Sequence, residues 1–170
     1  NNMPLNLLKI YNQHLDLNGL SSQQRNQSLK GIFDRDFTNR QPIHFNQKQV
    51  IPCPQDGTIE METLFRHLTT VKINYDTGQR DFDIQRSKRL HWVRFHIDLR
   101  KQNNILIFSV KEPEGLRTYI YDEDEKYVVI LEPKINMNKY FLLTAYHLEG
   151  KDAKRDKIKR KYKRKLDQVI

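Results

Sequence analysis

One cysteine, one tryptophan, six glycines and six prolines are all that 170 residues hold of these types. The lone thiol, Cys53, has no partner for an internal disulfide, and between Pro52 and Pro54 it has no second cysteine with which to form a zinc site. The glycines are scattered, so a phosphate-cradling loop and a dinucleotide fingerprint are both missing, and no cofactor is expected. No acidic or Cys/His cluster is spaced for a catalytic metal. Apolar runs fall short of the roughly 18 residues of a membrane span, so none is expected. No basic stretch followed by an apolar one stands behind Asn1-Asn2-Met3, which argues against a cleaved secretion signal and leaves other export routes open.

What is present points to a folded chain of one domain. Apolar residues make up 37% and charged ones 30%, and Leu, Ile, Val, Phe and Tyr recur in blocks. The net charge of +9 is unevenly placed. Ten of the thirty Lys and Arg lie between Lys151 and Lys165, against only Asp152 and Asp156, so twenty basic and nineteen acidic residues remain elsewhere. In that tail Ile158, Tyr162 and Leu166 recur every four residues, which predicts a helix with one narrow apolar stripe and a wide cationic surface. Lys154, Arg155, Lys159, Arg160, Lys163 and Arg164 are its candidate RNA contacts. A solvated tail or a membrane-surface helix would have the same composition.

The periodicity divides the chain in two. Residues 1–57, rich in Asn and Gln, read as an accessory region: a helix over Pro4 to Leu15, a loop through Asn18-Gly19 and Ser21 to Ser28, then a short amphipathic piece around Leu29, Ile32, Phe33 and Phe37. Residues 58–170 read as the core. Thr58 precedes Glu60 and Glu62, and Met61, Leu64, Phe65 and Leu68 fall at helical spacing. Tyr75 to Gln79 is a turn, and Asp81 or Asp83 starts a helix running to about Arg100. The β-rich runs Ile105 to Val110, Leu116 to Tyr121, Tyr127 to Leu131 and Tyr140 to Leu148 are joined too closely for crossover helices, so neighbours should be antiparallel. The expected class is α+β: N-terminal helices on a four-stranded antiparallel β-meander, followed by a basic C-terminal helix.

Three strings add a resemblance. Leu64-Phe65-Arg66-His67-Leu68-Thr69, then Asp83-Ile84-Gln85-Arg86-Ser87-Lys88-Arg89-Leu90-His91-Trp92-Val93, and Lys139-Tyr140-Phe141-Leu142-Leu143-Thr144-Ala145-Tyr146, with the basic helix after them, are similar to the phage-associated members of the barnase, EndoU, colicin and RelE nuclease superfamily. The similarity runs from about Met61 to Leu166 and leaves residues 1 to about 57 uncovered. It implies helices on a four-stranded antiparallel sheet and metal-independent ribonuclease activity. It further implies use as a bacterial toxin or prophage effector, acting in the cytoplasm, reached where needed through a larger secretion system, and countered by an antitoxin or immunity protein.

Metal-free RNA cleavage needs a base for the 2′-hydroxyl proton, an acid for the leaving 5′-oxygen and cations for the phosphorane. His67, His91, His96 and His147 are candidates for proton transfer, and Arg86, Arg89 and Arg94 for planar donors to phosphate. On a helix Arg86 shares a face with Leu90, Val93 and Ile97, Trp92, Phe95 and Leu99 lie roughly opposite, and Arg89 and His96 share the flank between. Thr144 and Tyr146 share one strand face. The candidate catalytic set is therefore His67, Arg86, Arg89, His91, Thr144 and Tyr146, with Arg94 as a further RNA contact. Each has an ordinary alternative: surface ion pairs for the arginines, packing for the histidines and Trp92, cross-strand bonding for the hydroxyls. The rival functions are a noncatalytic RNA- or ribosome-binding module and a phage structural or assembly domain.

Overall fold

Capping chemistry and apolar spacing set the element boundaries in the computed structural model, which describes residues 3–55 and 57–170; Asn1, Asn2 and Asp56, the last in the Pro-bearing segment, lie outside them. The first helix is short, α1 (Met3–Asn6). The helix expected as far as Leu15 is replaced by turns, and this strip of chain instead sends Leu15 and Leu17 into the core. Its polar successor, expected as a loop, is a helix, α2 (Ser22–Phe33), extended by a π-helical turn (Asp34–Thr38). A capping box starts it: the Ser21 side chain accepts from the Gln24 amide, and the Gln24 side chain accepts from the Ser21 amide.

A hairpin of β1 (Ile43–Phe45) and β2 (Lys48–Pro52) comes next, then α3 (Glu60–Thr69) with Glu60 and Glu62 in its first turn. A second hairpin pairs β3 (Thr70–Lys72) with β4 (Arg80–Phe82). The helix expected from Asp83 is two pieces. Asp83 caps α4 (Ile84–Ser87) through the Arg86 amide, and α5 (Leu90–Ile97) follows a break at Lys88-Arg89. The four late strands are β5 (Ile105–Glu112), β6 (Gly115–Asp122), β7 (Tyr127–Lys134) and β8 (Lys139–His147), each antiparallel to the next. The tail breaks at Asp156, in left-handed conformation with φ 47°, into α6 (Gly150–Arg155) and α7 (Lys157–Tyr162), where one continuous helix was expected.

The fold is α+β, and the expected four-stranded sheet has six strands, in the order β1-β2-β8-β7-β6-β5. The extra two were hidden because β1 is three residues long and prolines surround both. β2 runs parallel to β8, but only from Gln49 opposite Lys139 to Pro52 opposite Leu142. The β7 to β8 ladder shifts register at Ile130/Leu131, skipping Leu143, and residues 144–147 of β8, beyond the last β2 pair, pair with β7 alone among the described strands. Helices α3 and α4 pack along this unpaired stretch.

One face of the sheet carries the larger core, in which Ile120, Val129, Leu131, Leu142 and Ala145 meet Leu29, Ile32, Phe33, Leu64, Leu68, Trp92 and Val93. Leu15, Leu17, Phe37, Ile43, Phe45 and Val50, all from the segment expected to be accessory, belong to that same core. The other face packs Phe108, Tyr119, Tyr121 and Val128 against Ile158, with Ala153 and Tyr162 at the margin, so α6 and α7 form a third layer. Leu166 is half-buried, and its amide donates to the Ser109 carbonyl as the chain rounds the β5 edge.

Buried polar groups tie the layers together. Asp122, fully buried at the end of β6, accepts from His96 Nε2 (2.9 Å), Lys101 Nζ (2.5 Å) and the Tyr11 hydroxyl. Burial by itself would raise this carboxyl, but the three donors outweigh it and hold it well below the usual carboxylate range. A carboxylate depressed in the folded state adds stability above its unfolded value, about 4, and that stability is lost as pH falls toward the folded value. Stability to urea should therefore decline below about pH 4. Asp122→Asn should flatten that decline and cost about 3–5 kcal/mol at neutral pH, since it removes the charge toward which Lys101 and His96 are turned. An unchanged acid slope in the variant would contradict this assignment.

Candidate active site

Where β2 leaves β8, the unpaired stretch, the end of α3, α4 and the β3–β4 hairpin enclose a cleft of about 490 Å³ lined by Cys53, His67, Val71, Lys72, Tyr75, Arg80, Arg86, Leu143 and Thr144. Arg86 is its anchor. One guanidinium nitrogen donates to the His67 carbonyl (3.1 Å) and to Thr144 Oγ1 (2.9 Å), and the guanidinium carbon lies 5.6 Å from the centre of the Tyr146 ring. The Asp83 cap sets the turn from which Arg86 projects, and the end of α3 supplies the carbonyl that receives it.

The electrostatics are one-sided. Lys72 and Arg80 stand directly opposite each other across the hairpin, a like-charge pair that costs free energy unless an anion or carboxylate intervenes. Among the described residues the Arg80 guanidinium bonds to Thr70, at its hydroxyl (2.8 Å) and carbonyl (2.9 Å). Among the described residues no carboxylate lies within 4 Å of Arg66, Lys72, Arg80 or Arg86. His67 registers this surplus: burial, then Arg80, Arg66, Arg86 and Lys72, pull its imidazole down to about 4, so it is neutral at pH 7. Burial pushes the Tyr146 phenol up while Arg86 draws it down.

Of the six candidate catalytic residues, His67, Arg86 and Thr144 thus line one cleft, and Tyr146, packed on the outer-layer side, adjoins it through Arg86. Arg89 and His91 do not join them. Arg89 is buried and held by Gln85 through its carbonyl (2.8 Å) and side-chain oxygen (3.0 Å), its guanidinium carbon 5.4 Å from the Trp92 ring centre. His91 is buried on the far side of α5, with Nε2 donating to the Ile10 carbonyl (3.1 Å). The helical-wheel expectation of an exposed flank fails because α5 is buried nearly all round. His96, expected on that flank, is inside and bonded to Asp122. Arg94, a candidate RNA contact, is also turned inward, paired with Asp98 (2.9 Å) and donating to the Asp36 and Arg40 carbonyls.

The tail candidates Lys154, Arg155, Lys159, Arg160, Lys163 and Arg164 are all exposed on α6, α7 and the turn after them. Lys159 pairs with Glu123 (2.8 Å) and Arg164 approaches Glu112 (4.0 Å); the other four have no carboxylate within 4 Å among the described residues. Sequence reasoning missed Arg66, Lys72, Tyr75, Arg80 and Cys53. The signal for the hairpin was available in the β-branched Thr70-Val71-Lys72-Ile73 ahead of Gly78, whose φ of +75° suits the turn.

Among the described residues no three His, Cys, Asp or Glu side chains converge as a metal-binding set. Comparisons with family models, curated proteins and solved structures return no match for this chain.

The surplus charge makes a direct prediction. If Arg80 is the strongest cationic influence on His67, Arg80→Gln should move the His67 midpoint upward from about 4 in an NMR titration of its ring protons. A midpoint unmoved or lowered would mean that burial alone sets it.

Proposed function

We propose that this chain is a metal-independent endoribonuclease that cleaves RNA by attack of the 2′-hydroxyl on its own phosphate, with the cleft at the β8 edge as active site. The observation that carries this is a neutral imidazole, His67, set among four cations that have no carboxylate within 4 Å among the described residues, in a cleft that Thr144 also lines and with the Tyr146 ring beside Arg86. In the reaction His67 takes the 2′-hydroxyl proton, the freed oxygen bonds to phosphorus, and the 5′-oxygen leaves with a proton from Tyr146. The products are a 2′,3′-cyclic phosphate and a 5′-hydroxyl end. Arg86, Arg80 and Lys72 meet the charge that builds on the phosphorane oxygens, and Arg86 is already fixed by the His67 carbonyl and Thr144. A bound phosphate also offsets the charges that depress His67, which moves its basicity toward the range where proton transfer is efficient.

The resemblance of the three strings to the phage-associated nuclease superfamily supports the same chemistry, and with it a role as toxin or prophage effector with a neutralising protein partner. A noncatalytic RNA-binding module is the second reading, favoured by the exposed Lys154, Arg155, Arg160 and Lys163 on the outer layer, which have no carboxylate within 4 Å among the described residues.

Purified protein incubated with total RNA and EDTA should yield cyclic-phosphate ends. His67→Ala should slow cleavage by about 100- to 10,000-fold while melting within a few degrees of the parent. Tight binding without cleavage would favour the second reading, and cleavage that requires an added divalent ion would overturn the first.

A further inference from the structure

The β3–β4 hairpin brings to the cleft an aromatic ring left largely open to solvent. Tyr75 is 84% exposed, the most of any large apolar side chain among the described residues, yet it lines the cleft together with Arg80, Arg86 and His67. The Lys72 ammonium lies 5.5 Å from its ring centre, and the neighbouring Ile73 is also exposed. The loop that carries the ring is well tied. Asn74 Oδ1 accepts from the Asp76 and Thr77 amides, the Gly78 amide donates to the Asn74 carbonyl, and the Ile73 amide donates to the Gln79 carbonyl. A ring held this way loses little conformational freedom when something stacks on it.

An open π-face beside cations that have no carboxylate within 4 Å among the described residues suits one kind of ligand in particular. A single-stranded nucleic acid can lay a base on the ring while the adjoining phosphate sits on Lys72, Arg80 and Arg86. A duplex keeps its bases stacked on each other and offers no free face to Tyr75. The acids near the hairpin, Asp76 at the tip and Asp81 across from Val71, are exposed and lie outside the residues that line the cleft.

We infer that Tyr75 is a base-stacking platform and that the cleft takes single-stranded RNA, a base on Tyr75 and the next phosphate among Lys72, Arg80 and Arg86. This rests on the nuclease reading for its choice of RNA and specifies the substrate class of the same site.

The test separates binding from cleavage by using a fluorescent 2′-O-methyl RNA oligonucleotide, which has no 2′-hydroxyl to attack, as a single strand and as a duplex of the same sequence. Anisotropy titrations of the parent and of Tyr75→Ala, Tyr75→Phe and Tyr75→Trp should show single-strand affinity falling about 10-fold or more in the alanine variant and retained with Phe or Trp. Duplex affinity should stay within about twofold throughout, since a duplex has no base to lay on the ring. Equal single-strand affinity in the alanine variant, or an equal loss on both ligands, would overturn the inference. Because Tyr75 is exposed, circular dichroism and melting should match the parent in all three variants. If the stacking pattern appears and the parent still fails to cut unmodified RNA in EDTA, the nuclease reading falls and the stacking platform stands. Cleavage without the stacking pattern leaves the nuclease reading in place and removes the platform.

Discussion

β8 has two strand partners along its first half and one along its second, and the site exists because of that change. From Lys139 to Leu142 it is clamped between β2 and β7; beyond the register shift at Leu143 the β2 side is vacant of any described strand. An unpaired strand margin inside a fold needs a cover for its backbone and side chains. Helices α3 and α4 supply it, and Arg86 reaches across to the Thr144 hydroxyl where a strand neighbour would have been. The β3–β4 hairpin issues from the C-terminal end of α3, so the same packing that closes the margin also delivers Lys72, Tyr75 and Arg80 to it. Without the early end of β2 there would be no opening between strand and helix, and the cations would have no common focus.

The charge arrangement at that opening runs against stability. Lys72 faces Arg80 across the hairpin, Arg86 and Arg66 lie close enough to depress His67, and among the described residues no acid is placed within 4 Å to relieve them. The same chain is capable of pairing its charges where only structure is at stake. Arg94 has Asp98, Arg117 has Glu132, and Lys101 lies between Asp122 and Asp124. A contrast of this kind within one molecule supports the proposed reading of the cleft as a polyanion site, where relief would come from the ligand rather than from the fold.

The late strands were legible because each alternates or runs apolar between short polar turns, and α3 because its apolar residues follow the helical repeat. The helix α2 was not, since the first seven of its residues are polar and its apolar ones, Leu29, Ile32 and Phe33, gather at the far end; the capping pair Ser21 and Gln24 was the available clue. At the site, His67, Arg86, Thr144 and Tyr146 sit in the three strings that carry the resemblance, which is what grouped them. Arg89, His91 and Arg94 were grouped with them by residue type within or beside the same string, and Arg89 and His96 by a shared helix flank, all of which assumes that these side chains meet solvent. Tertiary packing buries nearly all of α5, and no local pattern records that. The hairpin cations and Tyr75 are distant in sequence from β8, and only the three-dimensional path of the chain brings them to it.

The outer margins of the sheet are handled differently from the inner one. At one end β1 is only three residues long. At the other, the residues after α7 fold round β5: the Leu166 amide bonds to the Ser109 carbonyl, the Ile170 amide to the Ser109 hydroxyl, and the Ile170 carbonyl accepts from Thr118 (2.9 Å) and Tyr140 (2.6 Å). Residues 166–170 therefore act as a selvage that takes one backbone acceptor of β5, the Ser109 carbonyl, and then crosses toward Thr118 of β6 and Tyr140 of β8, standing where a second chain would have to enter to add a strand. A strongly basic protein that gathers on a polyanion is brought to high local concentration, and a hemmed border lets its copies crowd together there without zipping edge to edge.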